Sequence, residues 1–249
     1  MAVKTPRNPP LTRERIVDAA YDLAREDPLN ALSMRRIAKA LKVTPMAIYK
    51  HFTDKADLTA AVMDKQMLES RLIPEQISPD DWRNWIRTSY LRMWDTYASV
   101  PNMIPYMTHA TRFGPAVLHW QNEALGVMIG AGLEPRQAVT TLVTLSELAV
   151  GNTILRPMRE QGLEQAFPGV WQALASATVP APEALHAAEN IVADYPWLLH
   201  CGQAMVQDLK DPRQAFVGAM DLILTGVENL IAGNKKASQA PAGSSSGHI

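Results

Sequence analysis

Apolar residues recur at intervals of three and four along nearly all of this 249-residue chain, and the strict alternation of a half-buried strand is almost absent. That period belongs to helices that bury one face, so the sequence predicts an all-α protein. No segment repeats at a period of 20–50 residues, which argues against a helical solenoid. Hydrophobic residues make up 47% of the chain and charged residues 20%, a mixture that excludes a disordered or collagen-like chain. The single Cys201 excludes an internal disulfide and a zinc site built from several thiolates, and fits a reducing compartment. The N-terminal MAVKTPRNPP has no apolar run behind its basic residues, and the longest uncharged stretch, Gln165 to Pro182, is broken by Pro168, Gly169 and Pro180. The expectation is a cytoplasmic protein without a membrane partner.

The net charge of −1 conceals an asymmetry. Residues 1–57 hold 11 Lys/Arg against 7 Asp/Glu, and the remainder holds 13 against 18. A basic head on an acidic body suits a nucleic-acid contact near the N-terminus, because phosphate neutralisation supplies most sequence-independent affinity. A solvated charged face would look the same.

Within the head, Thr12 caps a helix that carries Ile16, Ala19, Ala20 and Leu23 on one face and stops at Asp27-Pro28. Ser33 opens a second helix with Met34, Ile37, Ala38 and Leu41. Thr44-Pro45 then starts a third, only two turns long, in which Ile48 and Phe52 must face inward. Thr44, Pro45, Met46, Tyr49 and Lys50 are left outside. Thr53-Asp54 caps a fourth helix running from Lys55 toward Ser70. Two short helices around a tight turn are the layout of a helix-turn-helix reader, although an ordinary helical hairpin has the same spacing. The exposed set favours the reader: Tyr49, Lys50, His51 and Lys55 lie near Arg35 and Arg36, a gathering of cations and an aromatic hydroxyl that suits a phosphate backbone.

Residues 11–62, through IVDAA, LSMRRIAKAL and VTPMAIYKHFTDKADL, resemble the N-terminal DNA-binding domain of the TetR family of bacterial transcriptional repressors, with Pro45 to Tyr49 most like the tetracycline-repressor branch. The resemblance implies that Thr44, Pro45, Met46 and Tyr49 approach the major groove of double-stranded operator DNA. Tyr49, Lys50, His51 and Lys55 would then meet phosphates, and Ser33 and Arg35 would hold the backbone from the second helix. A partly buried His51 packed on Phe52 is the alternative for that residue. Many members have Gly where this chain has Lys42. A non-Gly residue in a left-handed turn costs roughly 1–2 kcal/mol, and Lys42 offers a phosphate contact in exchange.

Helical pattern continues from Asp80 to Pro101, from Asn102 to His109, from Pro115 to Ala131, from Pro135 to about Gln161, from Glu183 to Ala193, and from Pro212 to Ile231. Ala138 to Leu155 and Phe216 to Ile231 are apolar nearly all round, which implies burial on two sides, either as core helices or as an interface. The family resemblance implies a homodimer joined by these two helices, with Leu142, Leu145, Ala149, Phe216, Met220, Ile223 and Val227 as the interface. Two-fold symmetry would set the reading helices about 34–36 Å apart. Trp and Met cluster in the middle third of the chain, as ordinary core or as the adaptable wall of a small-molecule cavity. The cavity candidates for a small apolar effector are Trp94, Tyr97, Met103, Met107, His109, Trp120, Gln121, Glu147 and Asn152.

The expected organisation is a disordered arm (1–10), a helix-turn-helix domain (11–57), a helical dimerisation and ligand-binding domain (58–233) and a disordered tail (234–249). No cofactor, metal site or catalytic residue is expected. The six histidines include no HxxxH pair, Glu183 and His186 stand as a single Glu-x-x-His, and Cys201 beside His200 lacks a catalytic context. The sequence thus reads as a ligand-responsive transcriptional repressor. The alternative is a helical small-molecule-binding module without specific DNA recognition.

Overall fold

The computed structural model describes residues 10–26, 33–99, 112–166 and 196–239, and among these every regular element is a helix. In chain order these are α1 (Arg13–Glu26), α2 (Met34–Leu41), α3 (Pro45–Tyr49), α4 (Lys55–Glu69), α5 (Trp82–Ser99), α6 (Pro115–Ala131), α7 (Pro135–Ala166), α8 (Pro196–Lys210) and α9 (Pro212–Gln239). The chain forms two compact units. One comprises residues 1–73 and 96–123, the other 74–95 and 124–249.

The first unit is built on a core in which α1 gives Ile16, Val17, Ala20, Tyr21 and Ala24, and α2 gives Met34, Ile37 and Ala38. Ile48 and Phe52, both essentially inaccessible, fill its centre as their spacing predicts. The fourth helix belongs to this core as well. Leu58, Val62 and Met63 are buried in it, because α3 and its flanks are too short to cover α1 alone. The expected boundary at residue 57 therefore cuts through a core that ends beyond α4. The Thr12 hydroxyl accepts from the Arg15 N–H (3.2 Å) at the start of α1, and Asp54 accepts from the Asp57 N–H (2.7 Å) at the start of α4. Both are N-caps satisfying an orphan donor.

In the second unit α7 packs on α9, and α5 reaches α7 through Tyr90, whose hydroxyl donates to the Leu142 carbonyl (2.9 Å) and pairs with Ser146 Oγ (3.2 Å). Burial pushes the Tyr90 phenol well above its ordinary pKa, so it stays a neutral donor. The Trp94 ring stacks on Phe216 at 6.0 Å between centroids, and its indole N–H donates to Asn152 Oδ1 at 2.9 Å. Arg213 clamps Asp95 with two bonds of 2.8 and 3.1 Å, fixing the start of α9 on α5. Gly132, at φ 116°, closes α6 in a left-handed turn that a side chain would strain.

Three expectations change. Helix α7 passes Gly162 and ends at Ala166, and α8 is a helix that the apolar periodicity passes over. The last helix continues to Gln239, six residues into the expected tail, because Asn234 is anchored by its amide to the Gly132 carbonyl (2.9 Å) and to Gln137 Oε1 (2.7 Å). The helices expected at residues 102–109 and 183–193, the arm at 1–9 and the tail beyond 239 lie outside the described residues.

Truncating Phe52, which is 1% exposed, leaves a cavity at the centre of the first unit. Phe52→Ala is expected to cost about 3–5 kcal/mol, read as an earlier urea midpoint for that unit; a loss under 1 kcal/mol would mean that the aromatic ring is not the keystone of this core.

Candidate nucleic-acid interface

The link between α2 and α3 determines how the third helix is presented. Lys42 adopts φ 56°, ψ 43°, and the turn is closed by its N–H on the Lys39 carbonyl (3.2 Å) and by the Val43 N–H on Ala38 (2.9 Å). This is the left-handed cap that favours glycine, occupied here by a lysine whose side chain is exposed. The chain then extends at Thr44 (φ −82°, ψ 150°) before Pro45 begins α3. Met46 is 70% and Tyr49 50% exposed, with Thr44, Pro45 and Lys50 beside them on the outer surface. Ser33 and Thr44 occupy N-cap positions, yet neither hydroxyl makes the capping bond.

What holds α3 in place is a residue that sequence reasoning passed over. Arg13 Nη1 donates to the carbonyl of His51 at 2.6 Å, and Nη2 donates to Asp57 Oδ1 at 2.7 Å. The same guanidinium lies 4.0 Å from the centroid of the Phe52 ring. Asp57 also accepts from the Thr53 N–H at 3.1 Å. One cation thus ties α1 to the end of α3 and the start of α4, with a planar fork suited to a carboxylate and an aromatic face. The Arg13 hydrogen bond, reinforced by Thr53, holds the Asp57 carboxyl below its ordinary range. The sequence signal was present in Asp54-x-x-Asp57, an N-cap followed three residues on by an acid, but its partner lies 44 residues away.

A second tie joins α1 to α4. Lys65 Nζ pairs with Asp18 (3.0 Å) and Glu69 (3.1 Å) and sits 5.4 Å from the Tyr21 ring. Burial, aided by Glu69, raises the Tyr21 phenol to about 12.

The structure brings Thr44, Pro45, Met46, Tyr49 and Lys50 onto one exposed surface, with Arg35 and Lys55 exposed and Ser33 and His51 half-buried. Lys39 and Lys42 are exposed too; Arg35 and Lys39 share one face of α2, and Lys42 lies in the turn that follows it. Lys39 was not among the expected contacts. In the cavity set, Trp94 and Asn152 are bonded to each other, Tyr97 and Trp120 are buried, and Gln121 is half-buried. Glu147 is exposed, a correction to its place among cavity residues, because it lies on the face of α7 opposite Leu145 and Ala149. Met103, Met107 and His109 lie outside the described residues.

The residues expected at the interface lie mostly inside the single chain. Leu142, Leu145, Ala149, Phe216, Met220 and Val227 are buried within the single chain, and Ile223 is half-buried. They form the protomer's own core. The apolar side chains that α7 and α9 turn outward include Val139, Val143, Leu155, Met158, Leu222 and Leu230, and Leu222 is 78% exposed.

A short exposed helix carried behind a turn on a three-helix core, followed by a helical body, defines a helix-turn-helix protein. Residues 16–62 match the family profile "Bacterial regulatory proteins, tetR family", and residues 74–231 match "Tetracyclin repressor-like, C-terminal domain". The chain belongs to this tetR family. It is 24% identical over 143 residues to the HTH-type transcriptional repressor DrrR1 of Streptomyces coeruleorubidus, a match covering 57% of this chain and 53% of that one. The chain thus spans only about half the length of that relative. It is 25% identical over 224 residues to the class C tetracycline repressor protein of Escherichia coli, covering 88% and 92% of the two chains. In fold it resembles ActR of Streptomyces coelicolor, solved in complex with actinorhodin, with a TM-score of 0.69, 22% identity, and coverage of 88% of this chain and 96% of that one.

The Arg13–Asp57 pair makes the first unit sensitive to acid. The folded carboxyl titrates below its unfolded value of about 3.9. Its contribution is therefore complete above that value and is lost as pH falls through the folded pKa. Asp57→Asn is expected to unfold more easily than the parent at pH 7, and the gap should close as pH drops below about 4. Parallel urea titrations at several pH values would show this, and a gap independent of pH would refute it.

Proposed function

We propose that the protein is a ligand-responsive transcriptional repressor of the cytoplasm, which binds double-stranded operator DNA as a homodimer and is released by a small apolar effector. The observation that carries the reading is the outward presentation of Thr44, Pro45, Met46 and Tyr49 on a helix fixed by Arg13, with Lys42, Lys50 and Lys55 exposed around it. Pro45 and Met46 supply apolar contacts to thymine methyl groups, and the hydroxyls and cations fix register on phosphates. His51 contributes chiefly through its backbone carbonyl, which Arg13 occupies.

The body supports the dimer. Residues Pro135–Leu155 and helix Pro212–Gln239 are long and apolar enough to cross a membrane, yet only about a third of their most apolar stretch is buried within the chain. Apolar helices buried on one side only leave a second face to cover, and a second copy of the chain would cover it through Val139, Val143, Leu222 and Leu230. Two-fold symmetry then spaces the reading helices one turn of DNA apart. The effector site draws on Trp94 and Asn152, whose mutual bond sets an aromatic wall beside a polar group. ActR was solved with actinorhodin, and an aromatic wall beside a polar group suits an apolar ligand with a polar substituent. Release follows only if the effector prefers the conformation whose heads are misplaced on DNA.

A mobility shift with DNA from upstream of the protein's own coding region, at two salt concentrations and then with candidate apolar ligands, tests the whole reading. Absence of a sequence-specific shift would reduce the protein to a small-molecule-binding module. Lys50→Ala and Lys55→Ala are each expected to weaken binding across all sequences and to reduce the salt slope by about 1. Leu222→Arg is expected to give a folded monomer by light scattering and to lose operator affinity; an intact dimer would place the interface elsewhere.

A further inference from the structure

Beside the Arg13 clamp, α1, α4 and residues 112–115 enclose an open cleft of about 560 Å3. That volume falls within the roughly 300–1,000 Å3 of small-molecule sites. Its floor is apolar, made by Val17 on α1 and by Ala60, Ala61 and Leu68 on α4, and Phe113 stands in its wall, 63% exposed. The shape of the far side is set by Asp64, which accepts the N–H groups of Ala116 (2.7 Å) and Val117 (3.3 Å) at the start of α6. Gly114 approaches that carboxylate so closely that a Cβ would overlap it.

The charges lining the cleft are unequally occupied. Each cation already has a carboxylate partner: Arg13 has Asp57 at 2.7 Å, Lys65 has Asp18 at 3.0 Å, and Arg112 has Asp54 at 3.3 Å. Asp64 is taken up by backbone donors. Glu14 is different: its carboxylate accepts hydrogen bonds from the Thr12 hydroxyl and from its own backbone N–H, it forms no salt bridge among the described residues, and it lies on α1 one turn before the half-exposed Asp18. An anionic ligand would have to break an existing pair to find a counter-charge. A cation finds the Glu14 carboxylate outside any salt bridge and the exposed Phe113 ring beside it.

From this geometry we propose that the cleft is a small-molecule site on the DNA-binding unit for amphipathic organic cations, molecules with an aromatic body and one delocalised positive charge. The apolar floor takes the body, Phe113 lies against it, and Glu14 supplies the counter-charge. The site is separate from the effector site proposed around Trp94 and Asn152, and does not depend on that proposal.

Tetraphenylphosphonium and tetraphenylborate, matched in size and apolarity and opposite in charge, are suitable probes. Isothermal titration of the full chain is expected to show the phosphonium binding with one site per chain and the borate binding several-fold more weakly. Glu14→Gln and Phe113→Ala change exposed side chains outside the proposed DNA contacts, and far-UV circular dichroism checks that each variant is folded. Each is expected to give a few-fold loss for the phosphonium, the size a partly exposed ion pair or ring contact supports. Failure of the phosphonium to bind, equal or tighter binding of the borate, or phosphonium binding untouched by both substitutions would each overturn the proposal.

Discussion

The first unit depends on a single guanidinium. Helix α3 has five residues, too few to be stable alone, and its outer face carries the exposed side chains of Pro45, Met46 and Tyr49. Ile48 and Phe52 anchor it from below. Arg13 anchors it from behind, by one bond to the backbone where the helix ends, one to the carboxylate that begins the next helix, and a contact with the ring between them. Removing any one partner leaves charged or polar groups to find new company, so the three contacts stand as a unit. The surface that would read a base sequence is therefore oriented by a residue that need never touch DNA.

The body solves a different problem. Helices α7 and α9 are more apolar than one packed side requires, and within the chain they pack through Leu145, Ala149, Phe216 and Met220. Tyr90 and Trp94 lock α5 to α7 by side-chain hydrogen bonds, and a ring stack joins Trp94 to α9. Polar tips on aromatic bodies give this core directional contacts that aliphatic side chains lack. The outward residues Val139, Val143, Leu222 and Leu230 remain as a surplus that burial inside one protomer does not explain.

Much of this was legible in the sequence, for local reasons. The caps at Thr12 and Asp54, proline at the start of α3, and the inward pair Ile48 and Phe52 are short-range signals, and they placed the first four helices closely. What periodicity could not convey was which side of a doubly apolar helix faces its own chain. Leu142 and Val143 are neighbours of similar character, yet one is 7% and the other 43% exposed. Long-range partners were equally hidden. Arg13 and Asp57 are unremarkable until the fold brings them together across 44 positions, and Asp64 reads as a solvated acid until α6 starts beside it. Helix α8 was missed because Gly202 and a run of polar residues blur its pattern, and Glu147 was placed in a cavity because a polar residue in an apolar helix attracts a functional reading.

Lys42 carries a consequence of another kind. Its left-handed conformation is adopted routinely by glycine and occasionally by asparagine and aspartate, none of which bears a positive charge. In the genetic code every lysine codon lies one base change from an asparagine codon. The turn therefore sits a single nucleotide from a relaxed backbone, and reaching it would remove a positive charge next to the reading helix. At this position a relaxed backbone and an electropositive surface ask for different residues.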